Sequence, residues 1–285
     1  MSILNSINTN YGATVALESL TNTTSELNSV QKQVSTGYRV ADATDNGAAY
    51  AVAQRVRSDV SALTTSNQVM GGVQGLLSTT LSGLNGISNT LTSMRDVLVN
   101  LASGSTQGTE RSSYEAQYNV LLSNVKTFIQ DAGYNGSTLI GSIAGSNGTF
   151  GRVSVVRNEL GATYGIATFS GSSLYKSLTF TATQLGTSTT VSALITSTGT
   201  FINKLNTVGT ELNAYGASTD FINNQISYNS DKIDALNNGL GSLVDANLAQ
   251  ESALLQSLQV KQQLATQSLT IADQAPSILL KLFSG

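Results

Sequence analysis

The residues able to do chemistry gather around one stretch of the chain. Arg39, Asp42, Asp45, Arg55 and Arg57 lie in or just after residues 35–51 (STGYRVADATDNGAAYA), where Gly37 and Gly47 interrupt a helix-like pattern. Arginines among aspartates form ion pairs, worth about 0–1 kcal/mol each when exposed. That is a chemistry of contact: these charges are either interface ion pairs or an ordinary solvated cluster. Catalysis is poorly provided for. The chain has no His and no Cys, so the side chain that titrates near neutrality, the thiol nucleophile and the imidazole and thiolate metal ligands are all missing. An HExxH zinc-peptidase motif is impossible, and no spacing of Ser, Lys or carboxylates points to an active site. The expectation is no enzyme activity, no cofactor and no metal.

Bulk properties narrow the partners. Lys and Arg number 14 against 17 Asp and Glu, a net charge of −3 that gives no reason to expect nucleic acid. No apolar run approaches the ~20 residues of a membrane span, so no membrane is expected. No Lys or Arg precedes Lys32 and no continuous apolar block occurs there, so a Sec-type signal peptide is not expected. Ser, Thr, Asn, Gln and Gly fill the places that charges occupy in most soluble proteins. Low charge with long apolar seams suggests surface that is buried in an assembly.

The elements that must position the charged stretch are long helices. Steps of four and three from Val52 give Val52, Val56, Asp59, Leu63, Ser66, Met70, Val73, Leu77, Thr80, Leu84, Ile87, Leu91, Met94, Leu98 and Leu101 without a phase slip. Such a series is the seam of a helix that lies along other helices. Before it, Ile3, Ile7 and Tyr11 lead into a thinner seam of Ala13, Ala16, Leu20, Thr23, Leu27, Val30 and Val34. Residues 103–113 turn the chain, and Tyr114, Tyr118, Leu121, Val125 and Phe128 predict a shorter helix antiparallel to the long one. From Gly133 to Gly186 the composition shifts to Gly, Ser and Thr with β-branched and aromatic residues. Asn147-Gly148 predicts a type I′ hairpin there, and Tyr175–Leu185 reads as further strand.

Helical spacing returns from Thr198 through Phe201, Val208, Tyr215, Ile222 and Asn229 to Leu243. Past Gly239 and Gly241 the phase jumps, which marks a stutter or boundary. A last thin seam then runs Val244, Leu248, Glu251, Leu255, Leu258, Gln262, Ala265, Leu269, Ala272, Pro276, Leu279 and Phe283. Pro276 is expected to kink or end it. The fold class is therefore mainly α: long coiled-coil helices from both ends of the chain packed as a rod, with a small β-rich region in the middle of the sequence. Residues 1–45 and 246–285 form a terminal coiled coil, 46–140 and 187–245 a helical rod, and 141–186 a β-rich region that faces solvent. The thin end seams bury too little to order themselves alone and call for neighbours. Ile3, Ile7, Leu20, Leu27, Val34, Arg39, Asp42, Asp45, Arg55, Leu248, Leu255, Leu258, Leu269, Leu279 and Phe283 are the candidate polymerisation interface.

Several blocks resemble bacterial flagellins. Ile7-Asn8-Thr9-Asn10 with Ala13, Ala16 and Leu20 is similar to the start of that family. Val34-Ser35-Thr36-Gly37-Tyr38-Arg39-Val40, followed by Asp42, Asp45, Ala48, Ala53 and Arg55, resembles the segment joining its inner and outer domains. Residues 94–104 and Tyr134-Asn135-Gly136 resemble further blocks. At the other end Asp245-Ala246-Asn247, Gln263, Leu269, Ala272, Gln274 and Pro276 with Leu279 and Leu280 resemble the flagellin C-terminus. One departure is Asn-Asn-Gly-Leu-Gly-Ser-Leu-Val before Asp245, where the family carries arginines. The resemblance covers residues 1–140 and 200–285. It implies a subunit that polymerises with itself into the extracellular flagellar filament. It also implies a secretion chaperone, the flagellar export apparatus, and junction and cap proteins as partners. A hook–filament junction protein has similar ends, and a secreted adhesin on a helical stalk is a different class of reading. The match at both ends favours the filament.

Overall fold

The structure, a computed structural model, describes residues 9–283, with side-chain surroundings for 9–274. The chain divides into two units, one of Met1–Ser58 with Ala235–Gly285 and one of Asp59–Asp234. In the first, α1 (Tyr11–Thr36) starts where the Asn10 side chain accepts a hydrogen bond from the Ala13 amide. It stops where Gly37 turns left-handed, φ 74°, a conformation that a Cβ disfavours. The connector ends at α2 (Gly47–Ala102), whose first turn is capped by Asn46 accepting from the Ala49 amide.

Unit two is built on the α2 seam. From Leu63 to Leu101 all twelve positions of the series are buried, Ser66 and Thr80 included. Val52, at the head of the series, is 53% exposed. Two helices cover α2. In α7 (Thr200–Val244), Phe201, Val208, Tyr215, Ile222 and Asn229 are buried at every seventh residue. Asn67 bonds to Asn229, and Gln74 to Asn223, so α7 runs antiparallel to α2. Asn229 would be costly in an apolar seam if unpaired. It donates to Asn67 Oδ1 at 2.9 Å and the Arg157 carbonyl at 3.0 Å, and accepts from Gln225 at 2.9 Å. A polar residue so satisfied fixes register where an all-apolar seam could slide.

The second cover is α3 (Gly108–Asp131), also antiparallel to α2. Its buried stripe is Tyr118, Leu122, Val125 and Ile129. The sequence spacing put Leu121 and Phe128 there instead; both sit one residue off the buried line, and Phe128 is 37% exposed. The reason lies on α2, where Gly75, Gly83 and Gly86 let the partner come close. A Cβ at Gly75 would strike the Tyr134 ring, one at Gly83 would lie 2.8 Å from the Ala132 Cβ, and one at Gly86 would press on the Phe128 ring. Phe128 thus lies over a glycine at the edge of the contact, while Ile129 enters the core.

The middle segment differs most from its expected layout. The tight turn with two left-handed residues is Asn135 (φ 47°) and Gly136 (φ 76°), joining β1 (Gly133–Tyr134) to β2 (Ser137–Thr138). Asn147-Gly148 does not make a hairpin; it leads into β3 (Thr149–Phe150), which pairs with β2 in parallel. The longer hairpin is β4 (Val153–Val156) with β5 (Thr163–Ile166). Tyr175–Leu185 is not strand. It falls in α4 (Gly171–Leu178) and α5 (Ala182–Leu185), with α6 (Ser188–Leu194) following. Ser170, Thr181 and Thr187 cap these three helices with their hydroxyls, which decides the segment for helix. Leu139, Ile140, Val155, Ile166, Leu174 and Leu178 are buried in the common core with α2, α3 and α7.

Two polar side chains lock this segment down. The Tyr118 hydroxyl donates to the Leu178 carbonyl at 2.7 Å, and burial pushes its pKa up. Arg111 donates to the carbonyls of Leu101 and Thr106, and to that of Leu185, closing helix ends whose last carbonyls lack intrahelical partners.

The glycine contacts give a paired prediction. Replacing Gly83 with Ala should cost about 1–3 kcal/mol of unit-two stability, because the added methyl meets Ala132 and the Phe128 carbonyl. Gly71, where a Cβ meets nothing within 4 Å, should gain about 0.5–1 kcal/mol on the same change. Urea unfolding of the two variants checks both signs.

Candidate assembly interface

In the terminal unit, α8 (Leu248–Phe283) lies antiparallel to α1. The Asn10 amide donates to the Ala272 carbonyl at 2.6 Å and Gln262 to Thr24 Oγ1 at 3.3 Å. The helix continues through Pro276, so the proline does not end it. The break between α7 and α8 is at Asp245–Asn247, not within a continuous coil, and the connector is zipped onto it. The Arg39 and Val40 amides donate to the Val244 carbonyl at 2.8 and 3.3 Å, and the Ala246 amide donates to the Gly37 carbonyl at 2.9 Å. Arg39 Nη2 reaches the Leu243 carbonyl at 2.5 Å. Beneath, Val40, Ala53 and Val244 are buried together.

The acidic pair of the connector is organised by Lys32, which the sequence reading missed. Its ammonium lies 2.6 Å from Asp42 and 2.8 Å from Asp45. Asp42 also accepts from the Thr44 amide and hydroxyl at 2.8 and 2.5 Å, and Asp45 accepts from the amides of Ala41 and Asp42 at 2.9 and 3.1 Å. The hydrogen bond from Lys32, then those from Thr44, hold the Asp42 carboxyl well below its usual range. Lys32 likewise lowers Asp45 first, followed by the Asp42 amide, and the pair raises the lysine. Arg57 sits 5.8 Å from the centroid of the Tyr38 ring, a cation–π contact. Arg55 points to solvent.

The candidate interface residues divide. Leu20, Leu27 and Val34 on α1 and Leu255, Leu258 and Leu269 on α8 line the seam between these helices, Leu258 at 1% exposure. Arg39 bonds to the end of α7, and Asp42 and Asp45 bond to Lys32 of α1 and to connector amides. Leu248 is half-exposed. Ile3 and Ile7 lie outside the described residues, as do the side chains of Leu279 and Phe283.

A second apolar face remains. At 100° per residue, Val260, Leu264 and Ile271 fall opposite the seam of α8, and each is more than half exposed. On α1, Tyr11, Val15 and Leu17 flank the seam and are exposed as well. Val15 and Leu264 line one groove, together with Gly12 and Ala265. The signal for this face was present in the four- and seven-residue spacing of Val260, Leu264 and Ile271, but a search for one seam per helix passes over it.

Known proteins identify the family. Residues 7–144 match the bacterial flagellin N-terminal helical region. Flagellin FljO of Caulobacter vibrioides is 32% identical across 98% of this chain and 99% of its own. The chain belongs to the bacterial flagellin family. A flagellin of Brucella melitensis is 30% identical over the same shares of the two chains. A putative flagellar hook-associated protein from Vibrio parahaemolyticus, 15% identical, shares the fold over 70% of this chain and all of its own, with a TM-score of 0.55. This flagellin is a structural subunit of the filament used for swimming, and the hook-associated likeness is one of fold alone.

The Lys32 pair predicts how this flagellin answers acid. Both aspartates titrate lower when folded than when unfolded, so their contribution is complete above the ordinary carboxylate pKa of about 4 and is lost as pH falls below it toward the depressed folded values. Lys32, raised, loses its share only in strong alkali. Melting of the terminal unit should hold steady from pH 7 to about 5 and decline below about 4. Lys32→Met should lower the neutral-pH melting point and flatten the decline.

Proposed function

We propose that α1 and α8 form the polymerisation core of this flagellin, and that neighbouring subunits cover the outer face of α8 at Val260, Leu264 and Ile271 with the flanks of α1 at Tyr11 and Val15. The supporting observation is that α8 is apolar on two opposite sides. One side meets α1, and the other is exposed in the single chain. A row of exposed apolar side chains along one helix face fits an interaction site. A filament needs contacts that join different patches and never close on themselves, and two helices with separate exposed faces supply them. The interface assigned from sequence enters indirectly. Leu20, Leu27, Val34, Leu255, Leu258 and Leu269 set the pairing of the ends, and that pairing fixes which faces point outward. Arg39, Asp42, Asp45 and Arg55 hold or border the connector.

As a filament subunit the protein works outside the cell. Its route there is inferred from the family likeness: passage through the flagellar export apparatus, escorted by a secretion chaperone, without a cleaved signal peptide. Junction and cap proteins would bound the polymer at its two ends.

The test replaces Leu264 and Ile271 together with Glu. The variant should keep its helix content and the unfolding transition of unit two, yet form no filaments by electron microscopy. Filaments of normal length would overturn the assigned face. A wild-type protein that never polymerises would overturn the reading as a whole.

A further inference from the structure

We infer that Asn135-Gly136 is a self-modification site, at which the folded subunit converts an asparagine to aspartate and isoaspartate with water as the only other reactant. The reaction is intramolecular and does not depend on assembly. The Gly136 amide nitrogen gives up its proton to solvent and attacks Asn135 Cγ. The bond from Cγ to the side-chain nitrogen breaks, and that nitrogen takes up a proton and leaves as ammonia. Water then opens the cyclic imide at either of its carbonyls. One opening gives aspartate; the other gives isoaspartate, whose main chain runs through the side-chain carbon. Glycine in second place favours the attack because no side chain shields its nitrogen. Five Asn-Gly pairs occur, at 46–47, 85–86, 135–136, 147–148 and 238–239, and sequence alone ranks them equally.

The structure separates them. Asn85-Gly86 lies inside α2 and Asn238-Gly239 inside α7, where a helix ties the glycine amide to the carbonyl four residues back. Asn46 caps α2: its Oδ1 accepts from the Ala49 amide at 3.0 Å and its carbonyl from the Tyr50 amide at 2.9 Å. Asn147-Gly148 is pinned on both sides. The Asn147 amide donates to the Gln130 carbonyl at 2.7 Å and the Gly148 amide to the Ser146 carbonyl at 3.1 Å, while a Cβ on Gly148 would lie 2.9 Å from the Ser137 nitrogen. Asn135 differs in each respect. It is exposed, and among the described residues its side chain has no hydrogen-bond partner and the Gly136 amide donates to none. A Cβ at Gly136 would meet nothing within 4 Å. Asn135 is also the one non-glycine with positive φ among the described residues, 47°, a conformation from which departure relieves strain. The strands that this turn joins are two residues long each, too short to hold it shut by themselves. Conversion places a carboxylate beside Tyr134, whose ring lies over Gly75 of α2; in the isoaspartate it also adds a main-chain carbon there.

The wild-type subunit carries the test, incubated folded at mildly alkaline pH for days and, in parallel, unfolded in guanidinium chloride. Peptide mass mapping with fragment ions reads each Asn-Gly pair separately, and methyl labelling by an isoaspartyl methyltransferase measures the isoaspartate formed. In the folded subunit Asn135 should convert about tenfold or more faster than the remaining pairs, because those sites must first open locally. In guanidinium chloride the rates should converge. Asn135→Gln, whose longer side chain would have to close a larger ring, should remove most of the methyl label from the folded subunit. Conversion of Asn46 or Asn147 as fast as Asn135 in the folded subunit would overturn the site. So would an Asn135 that stays intact when folded while the unfolded sample reacts, or a methyl label undiminished in Asn135→Gln.

Discussion

A helix with one apolar stripe is satisfied by one neighbour, and a helix with two stripes needs two. The long helices of this chain have two, and they differ in where the second partner comes from. For α2 both are internal: α7 meets the seam from Leu63 to Leu101, and α3 comes in on the side carrying Gly75, Gly83 and Gly86. For α8 one is internal, α1, and nothing among the described residues covers Val260, Leu264 and Ile271. The same packing rule thus yields one unit whose long helix is covered and one whose last helix keeps an exposed apolar face.

The connector shows how a weakly charged chain places the few charges it has. Lys32 on α1 reaches two aspartates that are themselves ordered by local amides, and Arg39 spans to a carbonyl at the end of α7. These contacts are partly exposed, and such pairs contribute little to stability individually. Their use is geometric. They fix the path by which the chain leaves α1 and the spot where α7 gives way to α8, so the terminal helices meet in a defined register.

The sequence disclosed whatever repeats over many turns. The seams of α1, α2, α7 and α8 come out in phase because a wrong phase would bury Asn and Ser at position after position. The single turn was harder. Asn135-Gly136 and Asn147-Gly148 carry the same local signature, and only the pairing of Ser137 with both Tyr134 and Thr149 decides which makes the hairpin. The short helices after residue 170 were legible in principle: Thr181 and Gln184 form a capping box, the spacing that announces a helix start. Their Ser- and Thr-rich composition argued for strand and outweighed it. Lys32 was missed because its partners are 10 and 13 residues away across a turn, beyond any helical spacing. The second face of α8 escaped because Lys, Gln and Thr lie between its apolar residues.

The bond from Asn10 to Ala272 joins residues 262 positions apart. A contact of such separation forms only after nearly all of the chain is present, and its closure entropy falls once the intervening unit has folded from its more local contacts. During synthesis α1 therefore exists for a long interval with its partner still unmade. Any protein that grips the last forty residues prolongs that interval, because it withholds from α1 the helix it packs against. Control over the whole terminal unit can thus be exercised at one end of the polypeptide.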